Sequence, residues 1–345
     1  MLDDRGRALT TTVSIPAERL ERGPEGHRVH VVDYDASTDY LYRSRNTDVE
    51  SDPYRNQTDI QRLVADPYFH QQNVYAIAMA TLQEFEVALG RAVDWGFVAP
   101  SHQIKVAPHA FQDANAYYSR ESESLNFGYF PDDRGQRVFT CLSHDIVVHE
   151  TTHALLDGLR GMYLLPSSAD QAGFHEGFSD LVALLSVFRH AEVMHHALGV
   201  LTDATGRIPN RSLNIKGLAK TALTRLAEEM GAELEGVRGA ALRHSLDIEP
   251  SRAHYGSARF EEEHDRGELL VAVVLRVFVE VWPKRLLPLQ ADATAGLNRA
   301  VVAEEGATAA GQLLRILIRA IDYLPPVEMT YPDFVSALLT ADLQL

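Results

Sequence analysis

Apolar residues recur at intervals of three and four positions between Gln71 and Trp95, and mostly polar or small residues fill the positions between them. This spacing places the apolar side chains on one face of a helix, so the sequence predicts a long helix over this range. The apolar positions are Val74, Ile77, Ala78, Leu82, Phe85, Leu89 and Val93.

Shorter apolar runs on either side of this helix have the length and composition of β-strands. We predict strands at Val29–Val32, Ile104–Val106, Asn126–Phe130 and Val138–Leu142. The third strand is expected at the edge of a sheet, and the Pro131–Gly135 turn separates it from the fourth. The first half of the chain is therefore expected to mix helix and sheet.

Helical patterns dominate after Ser143, which could cap a helix that runs to about Leu159. A second helix is predicted at Phe174–Arg189, and the polar segment Asp203–Asn214 is expected to be a connection. Further helical patterns cover residues 216–232, 267–282, 307–323 and 331–343.

The order of these elements predicts an α+β fold in two lobes. A mixed, β-containing N-terminal lobe would cover residues 1–155, including the helix that follows Ser143. A mainly helical C-terminal lobe would cover residues 156–345. A chain of 345 residues is long enough for one large domain or for two lobes.

Composition and charge narrow the classes of function. Hydrophobic residues make up 46% of the chain and charged residues 23%, which is ordinary for a soluble globular protein. The formal net charge of −16 disfavours nucleic acid as a partner, because phosphate binding needs a basic surface. No segment approaches the ~18 consecutive apolar residues that span a bilayer, so no membrane association is expected.

Two further features bear on the cellular compartment. The first residues lack the basic and apolar regions of a signal peptide, which predicts a cytoplasmic protein unless a leader has been removed. The one cysteine, Cys141, excludes an intrachain disulfide and is expected to be an inert thiol in the core.

The segment His149-Glu150-Thr151-Thr152-His153 has the pattern of a metal site. Its two histidines are four residues apart, so on a helix they lie on the same face. Both imidazoles could then reach one Zn²⁺ at about 2.0–2.1 Å. Glu150 would lie beside the metal, where a general base for a zinc-activated water is needed. The alternative is a chance match, because the chain has 15 histidines.

A catalytic zinc usually has three protein ligands, and Glu176 is the candidate for the third. It lies 176 − 153 = 23 residues beyond the second histidine, which is enough for a turn and a returning helix. Asp180 is one helical turn further and could accept the second ring N–H of a ligand histidine. Both acids could instead belong to a solvated helix face, but this helix is rich in apolar residues, and buried acids need partners.

These motifs resemble those of the thermolysin-like gluzincins, over roughly residues 70–280. Residues 145–154 are similar to the zinc helix of that family, and Glu176–Asp180 is similar to its glutamate-ligand helix. Asn115–Tyr117, with Leu125–Tyr129, resembles the strand and loop that bind the substrate backbone. The resemblance implies a two-lobed fold with the zinc helix between the lobes, one Zn²⁺ per chain and a peptide or protein substrate.

The same resemblance implies roles for five further residues. Asn115 and Ala116 would hold the backbone of the peptide, and Arg243 would contact a substrate carbonyl. Tyr163 would be the transition-state tyrosine, and His264 would stabilise the oxyanion. Simpler alternatives stay open: a turn cap at Asn115, a loop aromatic at Tyr163, a surface ion pair at Arg243 and a position beside a helix N-cap at His264.

Two departures from the family pattern concern the surroundings of the metal. His175 precedes Glu176 where the family commonly has asparagine. The acidic cluster that binds paired calcium ions in the family is replaced by Ala191–His196, and only Asp145 of that set is retained. Bound calcium is therefore not predicted.

The sequence thus predicts a zinc metallopeptidase with Glu150 as its general base. A different class of function stays open, namely a non-catalytic or autoinhibited protein of the same fold that binds zinc and acts as an interaction module. His175 and the spacing around His264 favour this alternative. The presence of Glu150 argues against it, because a structural zinc needs no base.

Overall fold

The computed structural model describes residues 11–45, 52–97, 102–165, 167–218, 245, 248–249, 251–290 and 296–345. It combines a sheet with a larger set of helices, which confirms the predicted α+β class. Buried apolar residues from Val29 to Ala341 belong to a single hydrophobic cluster, and the expected lobe boundary at 155/156 lies inside a helix.

Nine short strands occur in the described part of the chain, and five of them form the main sheet. They are β1 (Val29–Val31), β2 (Tyr34–Asp35), β3 (Tyr40–Leu41), β4 (Ile104–Phe111), β5 (Ala116–Ser119), β6 (Ser124–Pro131), β7 (Arg137–Phe139), β8 (Arg207–Ile208) and β9 (Leu297–Asn298). β4 pairs in parallel with β1 and β6, and β6 pairs antiparallel with β5 and β7. The order β1-β4-β6-β5 leaves β5 at one end.

The helices carry most of the core. In chain order they are α1 (Ile60–Ala65), α2 (Pro67–Leu89), α3 (His144–Leu159), α4 (Ala169–Phe188), α5 (Ala191–Ala197), α6 (Ile215–Gly217), α7 (Arg252–Tyr255), α8 (Glu263–Gln290), α9 (Arg299–Ala320) and α10 (Tyr331–Gln344). α3 packs against α2, α4 and β5, so it lies at the centre of the molecule. None of the described helices is long and apolar enough to cross a membrane.

The strand predicted at the sheet edge lies inside the sheet instead. β6, which contains Asn126–Phe130, has β4 on one side and β5 on the other. Gly128 of this strand is required by close packing against neighbouring backbone. A Cβ there would lie 2.3 Å from the Asp113 carbonyl oxygen and 2.7 Å from that of Asn115. The predicted fourth strand is also shorter, because residues 140–142 form a 3-10 turn.

Helix ends follow capping residues more closely than they follow apolar periodicity. α2 begins four residues before Gln71 because the Asp66 side chain accepts the N–H of Tyr68. It ends well before Trp95, since Gly90 adopts a left-handed conformation with φ of 70°. The helix predicted after Ser143 is confirmed as α3. Most of the predicted 216–232 helix lies outside the described residues.

α4 and α8 cross at a pair of glycines. A Cβ on Gly177 would lie 2.7 Å from the Gly267 carbonyl oxygen, and a Cβ on Gly267 would lie 2.9 Å from the Gly177 nitrogen. Only residues without a side chain allow two backbones to approach this closely. Because Glu176 adjoins Gly177 and His264 lies one turn before Gly267, the crossing brings these two side chains together.

We predict that Gly267→Ala destabilises the protein by about 1–3 kcal/mol, because the added methyl group overpacks the crossing. Gly311→Ala is the matched control, since it also lies in a helix and its Cβ would meet no atom within 4 Å. That variant should gain about 0.5–1 kcal/mol from helix propensity. Equilibrium denaturant unfolding measures both changes, and equal effects of the two variants would contradict the close crossing.

Candidate metal centre

α3 and α4 bring the three predicted metal ligands together. His149 and His153 lie on one face of α3, and their Nε2 atoms are 2.7 Å apart. Glu176 reaches across from α4, with its two carboxylate oxygens 3.5 Å from the Nε2 atoms of His149 and His153. All three ligand atoms lie within 4.8 Å of one another, so this group could hold a metal ion.

The second ring nitrogen of His149 contacts an acid. Nδ1 lies 2.7 Å from a carboxylate oxygen of Asp180. Because an ionised carboxylate only accepts hydrogen bonds, this contact favours a proton on Nδ1. In that neutral form of the ring, Nε2 carries the lone pair that a metal ion would use. The predicted role of Asp180 as the partner of a ligand histidine has a direct geometric basis here.

The second ring nitrogen of His153 is also engaged. Its Nδ1 lies 2.7 Å from the Nδ1 of His175 and 3.2 Å from the Ser179 hydroxyl oxygen. Ser179 donates its own proton to the His175 carbonyl oxygen at 2.9 Å, so its oxygen is available as an acceptor for a His153 N–H. His175 is the second partner of the same ring nitrogen, and its tautomer decides whether it donates or accepts. Burial lowers the pKa of His175 to about 4, which keeps that ring neutral.

The two facing nitrogens are close enough to bind one metal ion together. When both Nδ1 atoms carry the ring protons, both Nε2 lone pairs are available to the same cation. Two neutral imidazoles and one carboxylate form a donor set that catalytic zinc sites use, so the residues present fit a zinc ion.

Glu150 is held between α3 and the last strand of the sheet. Its side chain is buried, and one carboxylate oxygen accepts the backbone N–H of Tyr118 in β5 at 3.0 Å. Ala116 lies two residues earlier on the same strand. The predicted base and the predicted substrate-binding strand therefore meet directly.

Asn115 has mainly a local role in this conformation. Its side-chain oxygen accepts the N–H of Ala116 at 2.8 Å, and its backbone oxygen accepts the N–H of Gly128 at 2.9 Å. These contacts correspond to the simpler of the two roles considered for Asn115, the capping of a turn. It also fixes the start of β5, the strand on which Ala116 lies.

The structure places His264 beside the metal-ligand group. Its Nε2 lies 3.7 Å from a carboxylate oxygen of Glu176, and its Nδ1 lies 2.8 Å from Glu262. The side chain is 62% exposed, so it remains accessible to a bound molecule. Partial burial opposes the charged form, but the hydrogen bond to Glu262 and the nearby carboxylates outweigh it and raise the pKa of His264.

A buried ion pair fixes the start of α8 and thereby the position of His264. Arg266 donates from Nε to Asp170 of α4 at 2.9 Å. The guanidinium also lies over the ring of Tyr255, at 4.1 Å from its centroid, and donates to the Tyr255 carbonyl oxygen at 2.6 Å. Asp170 in turn accepts the backbone N–H of Tyr331 at 3.0 Å.

The structure does not support the expected role of Tyr163. The residue lies in a 3-10 turn, Gly161–Leu164, and its ring is 1% exposed and packs on Phe174. Its hydroxyl is already donated to the carbonyl oxygen of Pro325. An enclosed ring with an engaged hydroxyl is not offered to a substrate at the metal-ligand group. Arg243 lies outside the described residues.

Sequence reasoning missed a second carboxylate that holds the same strand. Asp157, seven residues after Glu150 on α3, accepts the Tyr118 hydroxyl at 2.7 Å and the Arg120 Nε at 2.7 Å. β5 is therefore tied to α3 at both the backbone and the side chain of Tyr118. The spacing of seven, which keeps a residue on the same helix face, is the signal that could have identified Asp157.

Comparison with known proteins adds no assignment. No protein-family model matches the chain, and no curated protein matches it significantly in sequence. The functional argument therefore rests on the geometry of these residues.

We predict that Asp180→Ala weakens zinc binding about 10–100-fold, because the His149 ring loses the partner that orients it. Glu304→Ala, which removes an exposed carboxylate from α9, is the control and should leave the affinity unchanged. Competition with a chromophoric chelator measures both affinities. An unchanged zinc affinity in Asp180→Ala would contradict the assigned contact.

Proposed function

We propose that this protein is a zinc-dependent peptidase of the thermolysin-like kind, with the metal helix α3 between the β-containing and helical parts of the molecule. The observation that carries the proposal is the group formed by His149, His153 and Glu176, with the buried carboxylate of Glu150 next to it. A zinc ion held by these three ligands would polarise a substrate carbonyl and acidify water.

Glu150 is the residue that supports hydrolysis rather than metal storage. The Tyr118 N–H holds one of its oxygens at 3.0 Å, which orients the carboxylate on the side of α3 that faces β5. We assign to it the removal of a proton from the attacking water and the delivery of that proton to the leaving nitrogen. A structural metal site would have no use for a carboxylate in this position.

The position of β5 favours a peptide as the substrate. Among the described strands, β5 has a partner strand on one side only, and it also contacts α3. An extended peptide can add to such an edge through main-chain hydrogen bonds. Ala116 and Tyr118 are on this strand, and Tyr118 also contacts the base. A peptide aligned there would carry its backbone past Glu150.

His264 is assigned to the stabilisation of negative charge on the substrate oxygen. It is exposed, it lies within 3.7 Å of Glu176, and its raised pKa favours the protonated, donating form. Since Tyr163 is directed into the core, His264 is the described residue best placed to donate there.

The buried Tyr163 also favours the second candidate function. A site that lacks one of its two expected oxyanion donors fits a non-catalytic or restrained protein with bound zinc. The two candidates differ in their dependence on Glu150 and His264, which only catalysis needs.

We predict that Glu150→Gln keeps its zinc but loses hydrolysis about 10²–10⁴-fold, because the amide cannot accept the proton of the water. Zinc content and cleavage of a broad peptide library, measured on the same preparations, test this expectation. Glu304→Gln provides the control on the exposed face of α9. Full activity of Glu150→Gln would remove Glu150 from the mechanism, and no cleavage by the wild type would favour the interaction module.

We predict that His264→Ala lowers kcat about 10²–10³-fold with unchanged zinc content, because an oxyanion donor is lost while all three ligands remain. Steady-state kinetics on the best library peptide, together with metal analysis, separates this effect from loss of zinc. His102→Ala, at an exposed histidine ahead of β4, serves as the control. An unchanged kcat in His264→Ala would contradict the assigned role.

A further inference from the structure

A second group of potential metal ligands lies near the N-terminal end of α3, outside the candidate active site. His70 comes from α2, His109 from β4 and Cys141 from the 3-10 turn that precedes α3. Their ligand atoms all lie within 4.8 Å of one another. The three side chains, with the adjacent Asp33, are each at most 4% exposed.

The outer nitrogens of both imidazoles are hydrogen-bonded to groups that only accept. His109 Nδ1 lies 2.9 and 3.0 Å from the two carboxylate oxygens of Asp33. His70 Nε2 lies 3.1 Å from the backbone carbonyl oxygen of Val64. Each of these nitrogens therefore carries a proton and donates it.

The inner nitrogens consequently face each other with lone pairs. His70 Nδ1 and His109 Nε2 are 2.7 Å apart, which equals the distance between the facing nitrogens of His149 and His153. A metal ion between the two nitrogens would use both lone pairs, and a third ligand atom within 4.8 Å of each ring is already in place.

Cys141 is the third potential ligand of this group. Its presence distinguishes the group from a pair of hydrogen-bonded histidines. Its side chain is fully buried, and its sulfur lies within 4.8 Å of a ring nitrogen of each imidazole. Thiolate and imidazole are ligands that zinc prefers, and a carboxylate behind a ligand histidine is a usual second partner. Here Asp33 stands behind His109 as Asp180 stands behind His149.

The surroundings exclude a nucleophilic role for the same cysteine. The Phe139 ring lies 4.7 Å from the His70 ring and 5.3 Å from the His109 ring, between centroids. Cys141 is fully buried, so no substrate reaches its sulfur in this conformation. The site therefore fits a structural ion that joins α2, β4 and the start of α3.

We propose that this chain binds a second, structural Zn²⁺ through His70 Nδ1, His109 Nε2 and Cys141 Sγ, with Asp33 and the Val64 carbonyl orienting the two rings. Binding releases the proton of the Cys141 thiol to solvent, and the thiolate forms the new bond to the metal. The site does not depend on the proposed peptidase activity, because it shares no ligand with His149, His153 and Glu176.

Cys141 is the only cysteine of the chain, which makes the test specific. Zinc-edge X-ray absorption on the wild-type protein should show zinc–sulfur scattering at about 2.3 Å. The candidate active site contains no thiolate, so this signal can come only from the second site. The measurement needs no variant, and its result therefore does not depend on how a variant folds.

Two variants separate the two sites. Cys141→Ala should lose the zinc–sulfur signal and one zinc ion per chain by elemental analysis, while His149→Ala should lose the other ion and keep the sulfur signal. Wild-type protein without zinc–sulfur scattering, or a sulfur signal that survives Cys141→Ala, would overturn the proposal. Loss of zinc in Cys141→Ala but not in His149→Ala would instead count against the proposed active site alone.

Discussion

The convergence of His149, His153 and Glu176 from two packed helices is the constraint on which the candidate active site depends. Asp180 lies 2.7 Å from the outer ring nitrogen of His149, and His175 and Ser179 contact the outer ring nitrogen of His153. These contacts hold the two rings with their Nε2 atoms facing Glu176. The negative charge of the Glu176 carboxylate favours a cation between the three side chains.

The surrounding helices and strands position further side chains around these three residues. α3 is enclosed by α2, α4 and β5, which keeps its histidines and Glu150 buried and oriented. The glycine crossing of α4 and α8, together with the Arg266–Asp170 pair, places His264 beside Glu176. Glu150 and Asp157 of α3 both accept hydrogen bonds from Tyr118, which fixes the position of the edge strand β5 relative to the proposed base.

Local spacing predicted the parts of the site that lie on single helices. His149 and His153 are one turn apart, and Glu176 and Asp180 repeat that spacing on the next helix, so periodicity was enough to align them. Periodicity along the chain could not predict contacts between elements that are distant in sequence. The burial of Tyr163 depends on Pro325, and the internal position of β6 depends on how its neighbours pair.

The cluster around Cys141 shows the same limit. His70 and His109 are 39 residues apart and lie on a helix and a strand, so no motif links them. The packing of α2 against β4 and against the 3-10 turn at Thr140–Leu142 brings the two rings and the cysteine together. Helix ends such as Gly90 were missed for a related reason, because one backbone conformation overrides an apolar pattern that continues past it.

The most direct test of the central claim is anomalous diffraction at the zinc absorption edge, from crystals of protein purified without chelators. We expect an anomalous peak within bonding distance of the Nε2 atoms of His149 and His153 and of the Glu176 carboxylate. A map with no peak at this position, while the two rings keep their contacts to Asp180 and His175, would contradict it.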